Sequence, residues 1–340
     1  LSDKIKVIQF DRYEPNINDL KKLSRKERIE KVKDFYNFYK EKTVQYLSNN
    51  IADICISTLF GKDFDFLPTI KDGSVKIAEF HFSYQSSPLK NYKTFWQLRN
   101  IQDLKLFYHH TNFIKKCNKY TKFIALTERD TLFWNKKVNN VDYIYNPLSL
   151  QHNSRSSLEK NIVVAVGTLN DNKNFSSLID IWSQAILKTK SEWKLHIYGT
   201  GENEEKLRLK IINLGLEKSV YIFPPTKEIE NVYRNASIFT MTSLNEGFSL
   251  VLSEAISFGL PAIAFDCNSG PSEIINDNES GFLIPLGNNQ LYVEKLSALM
   301  NSKDLRDTMG HKAFEKSKIF DLNKIMEQWN LLFKTLKNNN

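Results

Sequence analysis

Residues Ile238–Glu254 read IFTMTSLNEGFSLVLSE, and the architecture of the whole chain can be built out from them. The first five residues, Ile238–Thr242, are apolar or β-branched and predict a buried strand. The chain then turns through Gly247 and resumes as an apolar helical pattern over Leu250–Phe258. The start of such a helix presents free N–H groups and about half a positive charge, a natural seat for a phosphate. Gly247 lets the backbone come close to an anion. Glu246 stands just before that seat, and Glu254 lies about 6–8 Å along the helix axis. Two acceptors flanking a phosphate suit a nucleotide-sugar, one for sugar hydroxyls and one for ribose hydroxyls. Read in isolation, Glu246 would be a local cap and Glu254 a solvated helix residue.

The same alternation continues on both sides. Strands at Ile162–Gly167, Lys194–Tyr198, Val220–Phe223 and Ala262–Phe265 are separated by helical patterns at Phe175–Thr189, Glu202–Leu214 and Glu228–Arg234, with a helical turn at Pro271–Ile275. In the first half, strands are expected at Lys4–Phe10, Ile51–Phe60, Val75–Phe82, Lys122–Thr127 and Asp142–Tyr145. Helices are expected at Leu23–Leu47, with Ile29, Val32, Tyr36 and Tyr39 on its inner face, and at Thr94–Lys116. The polar stretch Leu148–Lys160 reads as a linker. Alternating strands and helices imply parallel sheets, so the expected fold class is α/β: two facing doubly wound domains, 1–150 and 151–318, with a ligand cleft between them. The first element is a strand without a glycine-rich turn before it. A preceding βαβ unit of about 30 residues is therefore expected.

Composition narrows the function classes. The chain has 340 residues, 25% of them charged and 41% hydrophobic, as in ordinary globular proteins with room for two cores. Cys55, Cys117 and Cys267 lie far apart, which excludes a disulfide scaffold or zinc ribbon and fits a reducing cytosol. No apolar run approaches the roughly 20 residues that span a bilayer, so the expected location is the cytoplasm. Residues 1–150 hold 26 Lys+Arg against 17 Asp+Glu, and the remainder 21 against 22. The whole positive excess sits in the first half, which either faces an anionic partner or is simply a solvated basic surface. Within it, Lys105, Lys115, Lys116, Lys119 and Lys122 alternate with Phe107, Tyr108, Phe113 and Tyr120. Such interleaving suits an anionic bilayer or nucleic acid, but no nucleic-acid motif accompanies it.

The quoted run belongs to an ordered series: Val166-Gly167-Thr168-Leu169, Lys173-Asn174-Phe175, Ile197–Glu202 (IYGTGE), Ser243–Glu254, Gly259-Leu260-Pro261, Gly270–Ile275 (GPSEII) and Gly281-Phe282-Leu283. This series resembles the family 4 retaining glycosyltransferases of the GT-B fold, whose hallmark is Glu-x7-Glu. The resemblance is continuous over 161–335 and weaker over 1–150, where Asn146-Pro147 resembles the end of the family's first domain. It implies a GT-B arrangement of two Rossmann-like domains, with the last helix (Leu322–Leu336, within 319–340) packing back on the first domain. It also implies transfer of a hexose from a nucleotide-diphosphate sugar, with UDP as the expected nucleotide. The acceptor would be a saccharide or lipid-linked molecule of bacterial surface-polysaccharide assembly such as lipopolysaccharide or capsule, with peripheral contact to the inner membrane face through Lys105–Lys122.

Residue by residue, the resemblance puts Glu246 on the donor sugar and Glu254 on the ribose. It puts the diphosphate against main-chain groups around Gly247, Phe248 and Ser249, and Lys173 on the leaving group. Gly167, Thr168, Gly199, Gly201 and Leu250 would line the donor site. Thr168 stands where the family usually has Arg, which leaves less charge for the departing diphosphate. Gly199 and Gly201 form only part of a dinucleotide fingerprint and read as a tight turn under the nucleotide. His81 ends a buried-looking strand and is either a core histidine or, as the resemblance implies, a group beside sugar and acceptor. Asp63-Phe64-Asp65 imitates a metal-binding D-x-D in a loop of the wrong domain, and adjacent His109 and His110 would point apart. No metal or other cofactor is expected. Two alternatives stand beside this reading: a catalytically weak nucleotide-sugar-binding fragment and an NAD-dependent oxidoreductase.

Overall fold

The computed structural model describes residues 16–58, 63–84, 101–150 and 154–338. The expected strand Lys4–Phe10 and the start of the expected helix Thr94–Lys116 lie outside them. The described chain forms two parallel sheets. The first contains β1 (Ile54–Thr58), β2 (Val75–Phe80), β3 (Lys122–Ala125) and β4 (Val141–Tyr143), in that order. The second contains β5 (Ile162–Val166), β6 (Lys194–Tyr198), β7 (Val220–Phe223), β8 (Ile238–Met241), β9 (Ala262–Asp266) and β10 (Gly281–Pro285). Its order is β10-β9-β8-β5-β6-β7, so the winding direction reverses between β5 and β8. In open parallel sheets, ligands bind at that reversal, outside the carboxyl ends of the strands.

β5 (IVVAV) is apolar without alternation because helices cover both of its faces. Val163 and Ala165 join the core beneath the helices Phe175–Ala185 and Asn289–Asn301. Val164 joins the opposite core, with Leu252, Ala255 and Ile256 of the helix Leu250–Ser257. Each fully buried Val, Leu or Ile side chain there contributes about 1.5–3 kcal/mol. The fully buried Tyr292 ties a helix to the sheet: its hydroxyl donates to the Ile263 carbonyl (2.7 Å) and accepts from the Met241 amide (3.2 Å).

Strand β10 and the helices Asn289–Asn301 and Lys303–Ser317 extend the second unit beyond what the pattern disclosed. The helix Leu322–Asn338 crosses back. Its Ile325, Trp329, Leu332, Phe333 and Leu336 pack with Val75, Ile77 and Ile124 of the first sheet.

One expectation needs correction. The helix Arg25–Asn49 opens with a capping box, Ser24 and Glu27 bonding reciprocally, but its inner face is shorter than its periodicity suggests. Tyr36 and Tyr39 pack edge-on against Phe66, whereas Ile29 and Val32 are 59% and 46% exposed. An apolar stripe records which side of a helix could be buried, and among the described residues nothing covers this stripe's first two turns.

Candidate functional site

At the β5–β8 reversal two loops meet. Lys173 Nζ donates to Glu246 Oε1 at 2.5 Å, with side chains only 20% and 11% exposed. Local chemistry brings them together. Gly167 has no side chain, and a Cβ there would lie 3.3 Å from the Lys173 stem, so the lysine folds across it. Asn174 takes a left-handed conformation (φ 52°) and turns the chain into the helix Phe175–Ala185. Thr242 Oγ1, just past β8, donates to the carbonyls of Lys173 and Asn174, each at 3.1 Å. The Leu244 amide donates to the Asn172 carbonyl (2.8 Å), and Asn172 Nδ2 to the Asn245 carbonyl (3.0 Å). The ion pair is therefore held by loops that are themselves stitched together.

Next in sequence, Gly247 is enclosed from both sides. A Cβ on it would lie 3.0 Å from the His81 carbonyl and 3.2 Å from the Ser83 amide of the first unit. A Cβ on Gly270 would lie 2.8 Å from the Gly247 carbonyl. Phe248 is buried between the units, its ring 5.8 Å from Tyr145 and 5.2 Å from Phe320. Ser249 precedes the helix Leu250–Ser257 but makes no side-chain cap bond; its hydroxyl contacts Met241 Sδ. The first-turn N–H groups of that helix are left to other acceptors. Leu250 is 43% exposed.

Glu254 lies on the same helix with separate partners. Its Oε1 accepts from Ser149 Oγ (2.7 Å) and its Oε2 from the Tyr233 hydroxyl (3.1 Å). Burial, then the Glu254 charge, pushes the Tyr233 phenol well above its usual range, so it stays a donor. Gly199 and Gly201 lie beneath the loop after β5. A Cβ on Gly199 would sit 1.9 Å from the Gly167 carbonyl, and one on Gly201 2.5 Å from the Leu169 carbonyl. These glycines serve close backbone packing under Gly167, Thr168 and Leu169, and Thr168 itself is exposed.

His81 follows β2 directly, half-exposed, with Nε2 3.4 Å from Glu79 Oε2. Its bond to Glu79 raises the imidazole pKa against the opposing effect of burial. His109 is exposed and His110 buried, so the pair does point apart. The Asp63–Asp65 run is absorbed by packing: Phe64 stacks on Tyr120, and Asp65 accepts from Lys116 at 2.7 Å. Lys122 pairs with Asp142, while Phe113 and Tyr120 enter the first core. Of the basic and aromatic segment, Lys105, Tyr108, Lys115 and Lys119 face solvent. Among the described residues no three His, Cys, Asp or Glu side chains cluster as metal ligands, and no helix is long and apolar enough to cross a membrane.

Sequence reading missed the residues that join the two units. Glu273 accepts from the Arg129 amide (2.8 Å) and the Tyr145 hydroxyl (2.6 Å), and Arg129 Nη1 donates to Asp266 (3.1 Å) and Ser272 (3.0 Å). Asp130, buried at 1% exposure, accepts from Ser269 Oγ and the Tyr84 amide. The fragment GPSEII contains Glu273, but nothing near it in sequence points to partners 128 and 144 residues away.

Two facing parallel-sheet α/β units, with the winding reversal of the second opening at their junction, define a GT-B fold. Within it, residues 150–316 match the family described as Glycosyl transferases group 1. The chain is similar to the amylovoran biosynthesis glycosyltransferase AmsD of Erwinia amylovora, 36% identical over 219 residues that cover 62% of this chain and 61% of AmsD. It is also similar to an uncharacterized glycosyltransferase of Haemophilus influenzae, 35% identical over 61% of this chain and 60% of that protein. The chain thus spans about three fifths of these relatives. Among solved structures, a point mutant of S. aureus TarM in complex with fondaparinux, α-GlcNAc-glycerol and UDP matches with a TM-score of 0.69 and 26% identity, over 85% of this chain and 58% of TarM.

Proposed function

We propose that this protein is a retaining glycosyltransferase that moves a hexose from a UDP-sugar to a saccharide or lipid-linked acceptor in bacterial surface-polysaccharide assembly. The observation that carries the reading is the partly buried Lys173–Glu246 pair beside the uncapped helix start at Leu250. A diphosphate seated on the helix N-terminus would draw Lys173, freeing Glu246 for sugar hydroxyls, while Glu254 exchanges Ser149 for ribose hydroxyls. The similarity to a UDP-bound TarM and to an amylovoran glycosyltransferase supports the donor and the pathway class.

In the proposed step the bond from C1 of the sugar to the β-phosphate oxygen breaks, and the acceptor hydroxyl bonds to C1 on the same face. The hydroxyl proton passes to the departing phosphate oxygen. The protein supplies orientation and fixed charge from Lys173 and the helix start, with neither cofactor nor metal assigned a part. His81 would border the sugar and acceptor. Uncharged Thr168 gives a second reading, a nucleotide-sugar binder with slow turnover, and the exposed Lys105, Lys115 and Lys119 are the surface proposed to meet an anionic membrane.

Incubation with UDP-hexoses and a saccharide acceptor, followed by NMR of the product's anomeric centre, tests the whole reading. An α-linked product from an α-linked donor is expected. An inverted product would overturn the mechanism, and binding without product would favour the binder.

A further inference from the structure

We infer that Asp130 is a positioning residue, whose buried carboxylate fixes the separation of the two units where the Gly247 turn meets the end of β2. Asp130 lies in the helix Glu128–Trp134 of the first unit. A single oxygen, Oδ1, accepts from Ser269 Oγ at 2.7 Å and the Tyr84 amide at 3.1 Å. Ser269 leads into the helix Gly270–Ile274 of the second unit, whereas Ser83 and Tyr84 follow β2 of the first. With the Ser269 proton on Oδ1, Ser83 Oγ shares its one proton between Ser269 Oγ at 2.8 Å and Oδ1 at 3.3 Å, which closes a buried triangle across the junction.

This triangle stands directly behind the proposed donor site. Gly247 packs on His81 and Ser83, and Gly270, the residue after Ser269, packs on the Gly247 carbonyl. Moving Ser83 away from Ser269 would therefore open the cleft at the phosphate seat itself. A buried acceptor serving donors from both units favours one separation, because any other leaves those donors or the carboxylate unsatisfied in low dielectric. The donors on Oδ1 offset only part of the cost of burial: Oδ2 is buried with no hydrogen-bond partner among the described residues, and burial holds the Asp130 carboxyl above the usual carboxylate range.

The inference rests on the glycosyltransferase reading only for its consequence on donor binding, so the test has two arms. Small-angle X-ray scattering of the ligand-free protein needs no substrate. Asp130→Ala is expected to enlarge the radius of gyration relative to the parent, whereas Asp130→Asn, which keeps an acceptor oxygen in place, is expected to match it. Calorimetric titration with UDP is expected to show about tenfold weaker binding for Asp130→Ala, the loss that accompanies one buried hydrogen bond, and near-parental binding for Asp130→Asn. Should Asp130→Ala not fold, Ser269→Ala removes the cross-unit donor alone and is expected to change scattering and UDP affinity in the same direction. Unchanged scattering in a folded Asp130→Ala or Ser269→Ala would overturn the inference. Parental protein that fails to bind UDP would count against the glycosyltransferase reading and leave the scattering arm decisive for Asp130.

Discussion

Lys173 and Glu246 lie on different crossovers of the second sheet, 73 residues apart, yet their charged atoms are 2.5 Å apart at the β5–β8 reversal. The contact gives the ligand-free site a defined resting state, in which each charge is the other's partner. In the proposed reading, donor binding would replace that partnership with two others, phosphate for the lysine and sugar hydroxyls for the glutamate.

Glu246→Gln keeps the shape of the side chain but removes the charge. Turnover is expected to fall by about a hundredfold or more, the scale seen when one fixed electrostatic contact to a transition state is lost. UDP affinity should hold or rise, because Lys173, to which the proposal assigns the diphosphate, is released from its ion pair with Glu246. Steady-state rates together with calorimetry check this, and near-normal turnover would remove Glu246 from the mechanism.

Glu254→Ala probes the other end of the donor. About tenfold weaker UDP binding is expected, as for one charge-assisted hydrogen bond to ribose. Ser149→Ala is expected to bind UDP as well as or better than the parent, because Ser149 competes for the Glu254 carboxylate in the ligand-free protein. Equal losses in both variants would mean that Ser149 supports the site instead.

The His81–Glu79 contact predicts a pH effect. Glu79 raises the folded-state pKa of His81 above its ordinary 6.5. The contact then stabilises the fold fully below the unfolded-state value, and this contribution fades as pH rises through the raised one. Glu79→Gln should lower the His81 pKa, since the burial that opposes protonation remains. NMR titration of the His81 ring measures both, and an unchanged pKa in the variant would show that Glu79 is not the cause.

Gly199→Ala tests the packing under the loop after β5. The added methyl would lie 1.9 Å from the Gly167 carbonyl, so strand β6 or the Gly167–Leu169 loop must shift. A loss of about 2 kcal/mol or more in unfolding free energy is expected, the scale of a core overpacking. Because Gly167 also supports the Lys173 stem, turnover should fall further than stability alone accounts for. Chemical denaturation and rate measurements separate the two effects.

Much of the fold was legible in sequence because it is encoded locally. Runs such as IVVAV and KLHIY announce strands, and the apolar spacing of Phe175–Ala185 announces a helix. Glu246, Gly247 and Glu254 could be singled out because a strand, a glycine turn and a helix succeed one another within seventeen residues. Strand β10 was less legible: a five-residue run ending in proline (GFLIP) carries too little pattern to separate from a loop.

Local pattern settled which segments are strands and helices, and which side chains could present charge beside a helix start. It could not settle strand order, because parallel neighbours are joined through crossovers and the β5–β8 pairing spans 75 residues from Val163 to Ile238. Nor could it show that Lys173 would meet Glu246, that Ile29 and Val32 would stay exposed, or that Asp130 would serve both units. Periodicity states which face of an element is apolar, whereas its partner is chosen by the packing of the whole molecule. A buried carboxylate such as Asp130 acquires its role only when donors from distant segments close around it.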